Sequence, residues 1–137
     1  MPTQYQDRKV SPPAQYPENK PYWDAASQGK LLVKKCNACG EYHHYPRSLC
    51  PFCFSDKTEW TEAKGTGVIY TYSVLRRGSP TPYAIGYVTL DEGPTMMTNI
   101  VDCPQTPEAL QLDMPLKVTF AAQNDDITLP LFAPAGA

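Results

Sequence analysis

The sequence predicts a mainly β protein with short helices, and three observations support this fold class. The chain has 15 prolines among 137 residues, a frequency that disfavours long helices. Two Cys-x-x-Cys pairs lie close together in its first half, as in a small metal-stapled module. The second half contains short runs rich in β-branched and aromatic residues, separated by Gly, Pro and Asp turns.

The bulk composition is that of a folded soluble protein, with 42% hydrophobic and 19% charged residues. A net charge of −2 gives no broad positive field, so nucleic acid is a poor candidate partner. No run of about 18 apolar residues predicts a membrane span. The first ten residues are polar and do not resemble a secretory signal, so we expect a cytoplasmic protein.

The N-terminal third is predicted to contain a flexible lead-in over residues 1–16 and a short helix within residues 17–30. Asn19 can cap this helix, Pro21 suits its first turn, and Gly29 can end it. A strand-like stretch, Lys30–Lys35, then enters a metal-binding ribbon over residues 31–62. That ribbon is predicted as two cysteine knuckles joined by a hairpin, followed by a polar passage over residues 56–64.

Residues 63–137 are predicted to form a five-stranded OB-fold barrel. The strand order, with a turn or two of helix at Thr106–Leu110 between the third and fourth strands, is the order of that fold. Alternation along the first strand would place Tyr70 and Tyr72 on one face. The five predicted strands are Val68–Leu75, Tyr83–Leu90, Thr95–Val101, Leu116–Ala122 and Ile127–Phe132.

The four paired cysteines predict one structural zinc ion. Each Cys-x-x-Cys turn offers two thiolates, and two such turns close a tetrahedron that has no open position for catalysis. Gly40, directly after the first pair, permits the left-handed backbone of a knuckle. Spacing also allows a rubredoxin-type iron site, while a redox dithiol would leave one pair unexplained. The predicted ligands are Cys36, Cys39, Cys50 and Cys53.

Two histidines and a fifth cysteine are the remaining candidates for chemistry. His43 and His44 are expected on the surface, because four sulfurs already saturate the metal. Cys103 has no His nearby in sequence to activate it, so a buried or edge-strand thiol is expected. No Ser/His/Asp arrangement, phosphate loop or spaced carboxylate pair is visible. We therefore predict no catalytic residue in this chain.

Basic and aromatic pairs are candidate contact sites. Lys34–Lys35 and Arg76–Arg77 could bind coenzyme A phosphates or an acidic partner surface, or they could be solvated turns. Tyr22 and Trp23 open a helix too short to be stable alone. Because adjacent aromatics are not expected to share one small core, at least one should meet another surface, and we assign both to partner binding.

These motifs together resemble one family. The residues are Tyr22-Trp23-Asp24, Gly29-Lys30-Leu31, both cysteine pairs with Pro46-Arg47, Gly65-x-Gly67-x-Ile69-Tyr70-Thr71-Tyr72, and Leu90-Asp91-Glu92-Gly93-Pro94. They are similar to the zinc-ribbon/OB-fold proteins, domain of unknown function thirty-five, that accompany thiolase-type enzymes. The resemblance covers residue 16 to the C-terminus. It departs at Tyr45-Pro46, where the family usually has Pro-Pro.

The resemblance implies an N-terminal helix, a rubredoxin-like zinc ribbon and an OB-fold in a hetero-oligomer with a thiolase-like catalytic subunit. A coenzyme A thioester would be the ligand of that complex. Such subunits occur in isoprenoid synthesis, in steroid side-chain cleavage and in anaerobic aromatic degradation such as benzoylsuccinyl-CoA thiolysis. Two alternatives stay open: a single-stranded nucleic-acid-binding module and a free acyl-CoA carrier.

Overall fold

The computed structural model describes residues 12–77, 82–122 and 127–135. Of the predicted flexible lead-in, residues 1–11 lie outside this part of the chain, and residues 12–16 have no regular secondary structure. The described residues form one short helix and eight strands. They are α1 (Lys20–Ala26), β1 (Leu32–Cys36), β2 (Tyr42–His43), β3 (Thr58–Glu62), β4 (Thr66–Leu75), β5 (Tyr83–Leu90), β6 (Thr95–Ile100), β7 (Pro115–Ala122) and β8 (Thr128–Pro134).

Helix α1 lies where the capping signals predicted it, but Asn19 acts differently from a capping residue. It occupies the N-cap position without a side-chain bond to the first turn. Its amide is buried; Oδ1 accepts from the Tyr16 N–H at 2.8 Å and Nδ2 donates to the Tyr45 hydroxyl at 2.8 Å. Gly29 follows the helix with a φ of 78°, a conformation that glycine adopts without steric cost. Asn19 therefore ties the start of α1 to the ribbon.

The ribbon is a three-stranded antiparallel sheet in the order β2-β1-β3. The sequence interpretation missed β3, which lies inside the passage expected to be merely polar. Its burial is only partial along its length, so no strong alternation marks it. Pairing with β1, which aligns Lys34 with Trp60 and Cys36 with Thr58, defines this strand.

The second sheet is a closed barrel with the strand order β4-β5-β6-β8-β7, in which β7 pairs back onto β4. Strands β6 and β8 are parallel, and the other neighbouring strands are antiparallel. This is the OB-fold arrangement, and all five predicted strands are confirmed. Between β6 and β7, the carbonyl of Thr106 accepts from the N–H groups of Ala109 and Leu110, each at 3.1 Å. The predicted helical segment is thus a single turn.

A β-bulge in β4 corrects the prediction that Tyr70 and Tyr72 share a face. The register with β5 shifts between Ile69 and Thr71, so strict alternation is interrupted at Tyr70. Tyr70 is 66% exposed, whereas Tyr72 packs against the core. The two rings therefore do not form a stacking platform of the kind that binds single-stranded bases.

One cluster of buried residues joins the helix, the ribbon and the barrel. Trp23 of α1 and Val33 of β1 belong to the same cluster as Ile69, Val88 and Phe132 of the barrel. The base of the ribbon therefore shares a core with the barrel, whereas none of the four paired cysteines belongs to this cluster. No helix among the described residues has the length and apolarity needed to cross a membrane.

Candidate functional site

The two cysteine knuckles have the same backbone hydrogen bonds. In the first, the Gly40 N–H donates to the Cys36 carbonyl at 2.8 Å, and the Cys36 N–H donates to Glu41 at 2.9 Å. In the second, the Phe54 N–H donates to the Cys50 carbonyl at 2.9 Å, and the Cys50 N–H donates to Ser55 at 2.9 Å. As predicted, Gly40 has a positive φ of 80°. Each turn thus directs both of its sulfurs to one side.

The four sulfurs converge, with every pair within 4.8 Å. The Sγ atoms of Cys36 and Cys53 are 3.6 Å apart, and those of Cys39 and Cys50 are 3.7 Å apart. Zinc–sulfur bonds of about 2.3 Å require edges of about 3.8 Å in a regular tetrahedron. All four cysteines are free thiols, so no disulfide competes for them. The arrangement therefore fits a four-thiolate zinc site.

Local backbone groups favour the thiolate form of one of these sulfurs, that of Cys36. Hydrogen bonds from the backbone N–H groups of Cys39 and Ala38 lower the pKa of Cys36 to about 7. The Phe52 N–H donates to the Cys50 sulfur at 3.4 Å, and such backbone donors orient the sulfurs of zinc knuckles. With four protein ligands, the ion would have no place for an activated water. The site can staple the ribbon, but it cannot perform metal-assisted hydrolysis.

The expectation that both histidines lie on the surface is wrong. His43 is buried, and its Nε2 accepts from the Arg47 N–H at 3.3 Å. His44 is partly buried, with Nε2 3.2 Å from the Tyr22 hydroxyl. Burial lowers the pKa of His44 to about 4, so the ring is neutral at pH 7. The hairpin folds back onto α1, which removes these rings from solvent, and neither belongs to the sulfur cluster.

The expectation that one of two adjacent aromatics must leave the core is also wrong. Tyr22 is 3% and Trp23 is 8% exposed. The rings meet edge to face, with centroids 4.9 Å apart, and the Trp23 Nε1–H donates to the Tyr45 hydroxyl at 2.8 Å. Because Tyr45 comes from the ribbon and the barrel lies beside it, two surfaces are available to bury them. The partner-binding role assigned to these two residues stays a prediction.

A groove of about 360 Å³ lies between this aromatic cluster and the barrel. The helix and ribbon form one wall, and strands β5, β6 and β8 form the other. None of its residues carries a formal charge, since His44 is neutral, and the volume suits part of a small molecule. The lining residues are Tyr22, Trp23, His44, Tyr45, Tyr83, Ile85, Met96, Met97, Thr98, Asn99, Leu129, Pro130 and Leu131.

The two basic pairs differ in their accessibility. Lys34 is buried, its Nζ lies 4.5 Å from the centroid of the Trp60 ring, and burial lowers its pKa. Lys35, one residue along the strand, lies over Tyr42 instead, because side chains alternate. Lys34 and Lys35 therefore do not form the predicted basic cluster. Arg76 and Arg77 are exposed beyond the end of β4, and residues 78–80 of the basic turn predicted at 76–80 lie outside the described chain.

Cys103 lies in the loop after β6 and is half-buried, not on an edge strand. Burial raises its pKa, and the amide of Gln105 is 3.7 Å from its sulfur. Among the described residues, the hydrogen-bond partner of its sulfur is the Gln105 amide and not a histidine. The thiol is therefore protonated at neutral pH, which disfavours a nucleophilic role.

A four-cysteine ribbon joined to an OB-fold barrel defines the class of this protein, and comparison with known families gives a specific assignment. A family model described as "ChsH2, rubredoxin-like zinc ribbon domain" matches residues 23–59. Another, described as "ChsH2, C-terminal OB-fold domain", matches residues 60–121. The chain belongs to this zinc-ribbon/OB-fold family, which includes the DUF35 domain-containing scaffold proteins. The predicted family is thereby confirmed.

Three relatives and one solved structure extend this assignment. A "DUF35 domain-containing scaffold protein" of Methanocaldococcus jannaschii is 34% identical over 70% of this chain and 71% of its own length. "Benzoylsuccinyl-CoA thiolase subunit BbsA" of Thauera aromatica is 26% identical over 67% of this chain and 74% of its own. A chain of the structure "Ltp2-ChsH2(DUF35) aldolase" is 33% identical, with 90% of this chain and 98% of that chain covered and a TM-score of 0.76.

The third relative is considerably longer than this chain. The "Probable enoyl-CoA hydratase alpha subunit" of Thermomonospora curvata is 33% identical over 127 residues, which cover 90% of this chain. This chain spans 39% of that relative's length.

Proposed function

We propose that this protein is a non-catalytic accessory subunit of a thiolase-type enzyme complex that acts on acyl-CoA thioesters. The observation that carries the proposal is the match to a chain of an aldolase complex over 98% of that chain, at 33% identity. A thiolase subunit and an enoyl-CoA hydratase subunit among its relatives support the same direction. The enzymes differ in reaction, so a shared scaffold is a simpler common role than shared catalysis.

In this proposal the zinc ribbon and the barrel have separate tasks. Zinc on Cys36, Cys39, Cys50 and Cys53 is structural and keeps the ribbon folded. The uncharged groove borders the acyl-CoA channel of the complex and accommodates an apolar acyl group. Arg76 and Arg77, the exposed basic pair, are candidates for contact with phosphates or with an acidic partner surface.

Co-expression with a thiolase-type catalytic subunit tests the assembly. We expect a hetero-oligomer in size-exclusion chromatography with light scattering, and thiolysis or aldol cleavage only when the catalytic subunit is present. The isolated chain should show neither activity. If the two proteins elute separately at micromolar concentration, the accessory role is refuted. Tight binding of acyl-CoA to the isolated chain by calorimetry would favour the carrier, and binding of single-stranded oligonucleotides would favour the nucleic-acid module.

A groove-filling variant tests the channel. Met97 lines the groove and is 58% exposed, so Met97→Trp can narrow the groove without disturbing the core. We expect a rise in KM of about tenfold for a bulky acyl-CoA and little change for acetyl-CoA. A bulky acyl group would no longer fit the narrowed groove and would lose apolar contacts worth about 1–3 kcal/mol. Tyr70→Trp, at an exposed position outside the groove lining, is the matched control. Equal kinetics for both variants with both substrates would exclude the groove from the channel.

A further inference from the structure

The two zinc knuckles place different residues at the same backbone position. Gly40 and Phe54 each follow the second cysteine of a pair, and each donates its N–H to the carbonyl of the first cysteine, at 2.8 and 2.9 Å. Both have left-handed backbone angles, with φ of 80° for Gly40 and 65° for Phe54. Glycine adopts this conformation freely, whereas any residue with a Cβ is strained in it.

The side chain of Phe54 offsets little of this strain within the chain. It is 76% exposed, so it makes few of the apolar contacts that would reward a phenylalanine. Glycine at this position would relieve the backbone and would remove an exposed apolar ring. The folding of this chain alone therefore gives no reason for Phe54, and a reason outside the chain is required.

Phe54 is not isolated. Leu49, 53% exposed, directly precedes the second knuckle, and Phe52, 62% exposed, lies within it between Cys50 and Cys53. We call Leu49, Phe52 and Phe54 the knuckle patch. A phenylalanine offers about 150–250 Å² of surface, so the exposed parts of the three side chains present roughly 300 Å². Arg47 and Glu18, an exposed ion pair 3.9 Å apart, lie beside the patch and line a cleft with Leu49 and Phe54.

This composition matches the centre of a protein interface. A standard interface buries about 800 Å² on each partner, with aromatic residues at its apolar centre and polar residues around them. The roughly 300 Å² of the patch is less than half of that area, so the patch can form the apolar centre of such an interface and needs the surrounding polar surface to complete it. A membrane surface would instead favour a rim of cations, and the Arg at this rim is paired with Glu18.

We propose that the knuckle patch is the docking surface for the thiolase-type catalytic subunit, with Phe54 as its central anchor. The inference rests on the proposed function, since that function supplies the partner. It assigns docking to the exposed tip of the zinc ribbon and not to Tyr22 and Trp23, which are buried. The zinc then has a second consequence, because it holds the knuckle that presents the anchor.

Phe54→Gly separates docking from folding. We expect the variant to keep about one zinc per chain and to unfold at the same or a higher temperature, because the backbone strain is relieved. Its complex with the catalytic subunit should be at least about tenfold weaker, as for loss of an interface anchor. Phe54→Asn, which tolerates the left-handed conformation, should behave in the same way. Tyr70→Ala removes a similarly exposed aromatic from the barrel, 66% against 76% for Phe54, and should leave the affinity within about twofold.

Each outcome decides the matter. A complex of the wild-type chain whose affinity is unchanged in Phe54→Gly overturns this inference alone. No complex with the wild-type chain overturns the proposed function and this inference with it. A lower unfolding temperature or lost zinc in both Phe54 variants shows a structural role and overturns the anchor assignment. Self-association of the isolated chain that is abolished by Phe54→Gly, or vesicle binding that depends on Phe54, identifies a different occupant.

Discussion

The zinc ribbon and the barrel are stabilised by different means. The ribbon strands are two to five residues long, and two of its four cysteines are exposed. The barrel strands are six to ten residues long and close around side chains such as Ile69, Val88 and Phe132, each 0% exposed. A tip this small cannot bury enough apolar surface to be stable, so a metal replaces the core. The barrel needs no such staple.

The ribbon and the barrel are not separated in the core. Leu31 and Val33 of the ribbon lie in one buried cluster with Trp23 of α1 and Ile69 of the barrel. The stability of the ribbon's cysteine end therefore depends on the metal, and that of its base depends on the core shared with the barrel. Variants that remove the metal, a side chain of this shared cluster or a barrel contact should accordingly differ in how they change stability and zinc content.

The largest expected effect is on the metal. Cys50→Ser should reduce zinc from about one per chain to almost none, because structural zinc contributes an apparent binding free energy of about 10–16 kcal/mol at neutral pH. Hydrogen exchange should show lost protection around residues 36–57, with strands β5 and β6 still protected. Elemental analysis together with exchange measures both. Iron in freshly purified wild-type protein would contradict the zinc assignment, and a globally unfolded variant would contradict the independence of the barrel.

The next largest effect is expected in the buried cluster that joins the helix, the ribbon and the barrel. Trp23→Ala should cost about 3–5 kcal/mol of unfolding free energy, since it empties a buried aromatic site, while zinc content stays unchanged. Urea unfolding measures this loss. Trp23→Phe keeps most of the packing and removes only the Nε1 donor to Tyr45, so it should cost about 1–2 kcal/mol. An early-melting Trp23→Ala variant would explain lost partner binding by unfolding, whereas a fully stable one would revive the predicted docking role of Tyr22 and Trp23.

A steric change in the barrel should have a smaller effect. A Cβ at Gly86 would lie 2.9 Å from the Thr71 carbonyl oxygen and 2.9 Å from Ile100 Cδ1. Gly86→Ala should therefore cost about 1–3 kcal/mol through overpacking between β4 and β5. Gly93→Ala is the control for a purely conformational cost, because its φ is 116° and nothing lies within 4 Å of an added Cβ. Thermal unfolding of both variants compares them, and an unperturbed Gly86→Ala would show that the strands separate easily.

The smallest effect is expected at Cys103. Cys103→Ser should change stability by about 1 kcal/mol or less and leave the activity of the complex unchanged, because the thiol is only half-buried and has no activating base. Its raised pKa means that the thiolate appears only at higher pH than for an ordinary thiol. Alkylation by iodoacetamide should therefore be slow at pH 7 and accelerate as the pH rises towards 10. Rapid alkylation at pH 7, or a thousandfold loss of kcat in an assembled complex, would contradict this.

The predictions that succeeded rest on local chemistry. The cysteine spacing identified the four sulfurs that the fold brings together, Gly29 and Gly40 marked positions with positive φ, and the turn residues bounded the five barrel strands. The predictions that failed concern neighbours distant in sequence. Strand β3 is set by its pairing with β1, and a bulge at Tyr70 breaks the alternation that the sequence predicted. Neither the β1–β3 pairing nor the bulge in β4 leaves a pattern in the local sequence that is strong enough to be recognised.

The sequence by itself determined the order of modules and the four cysteines that converge, because thiolate chemistry, turn conformations and strand propensity each act within a few residues. The family followed from the resemblance of the motifs. Only the tertiary structure decided which side chains are accessible. It buried Tyr22, Trp23, His43 and Lys34, and it left Leu49, Phe52 and Phe54 exposed beside the metal site. Burial depends on which surfaces meet in space, and the ribbon folds back onto both the helix and the barrel. That contact creates the uncharged groove and leaves the apolar side chains of the second knuckle exposed.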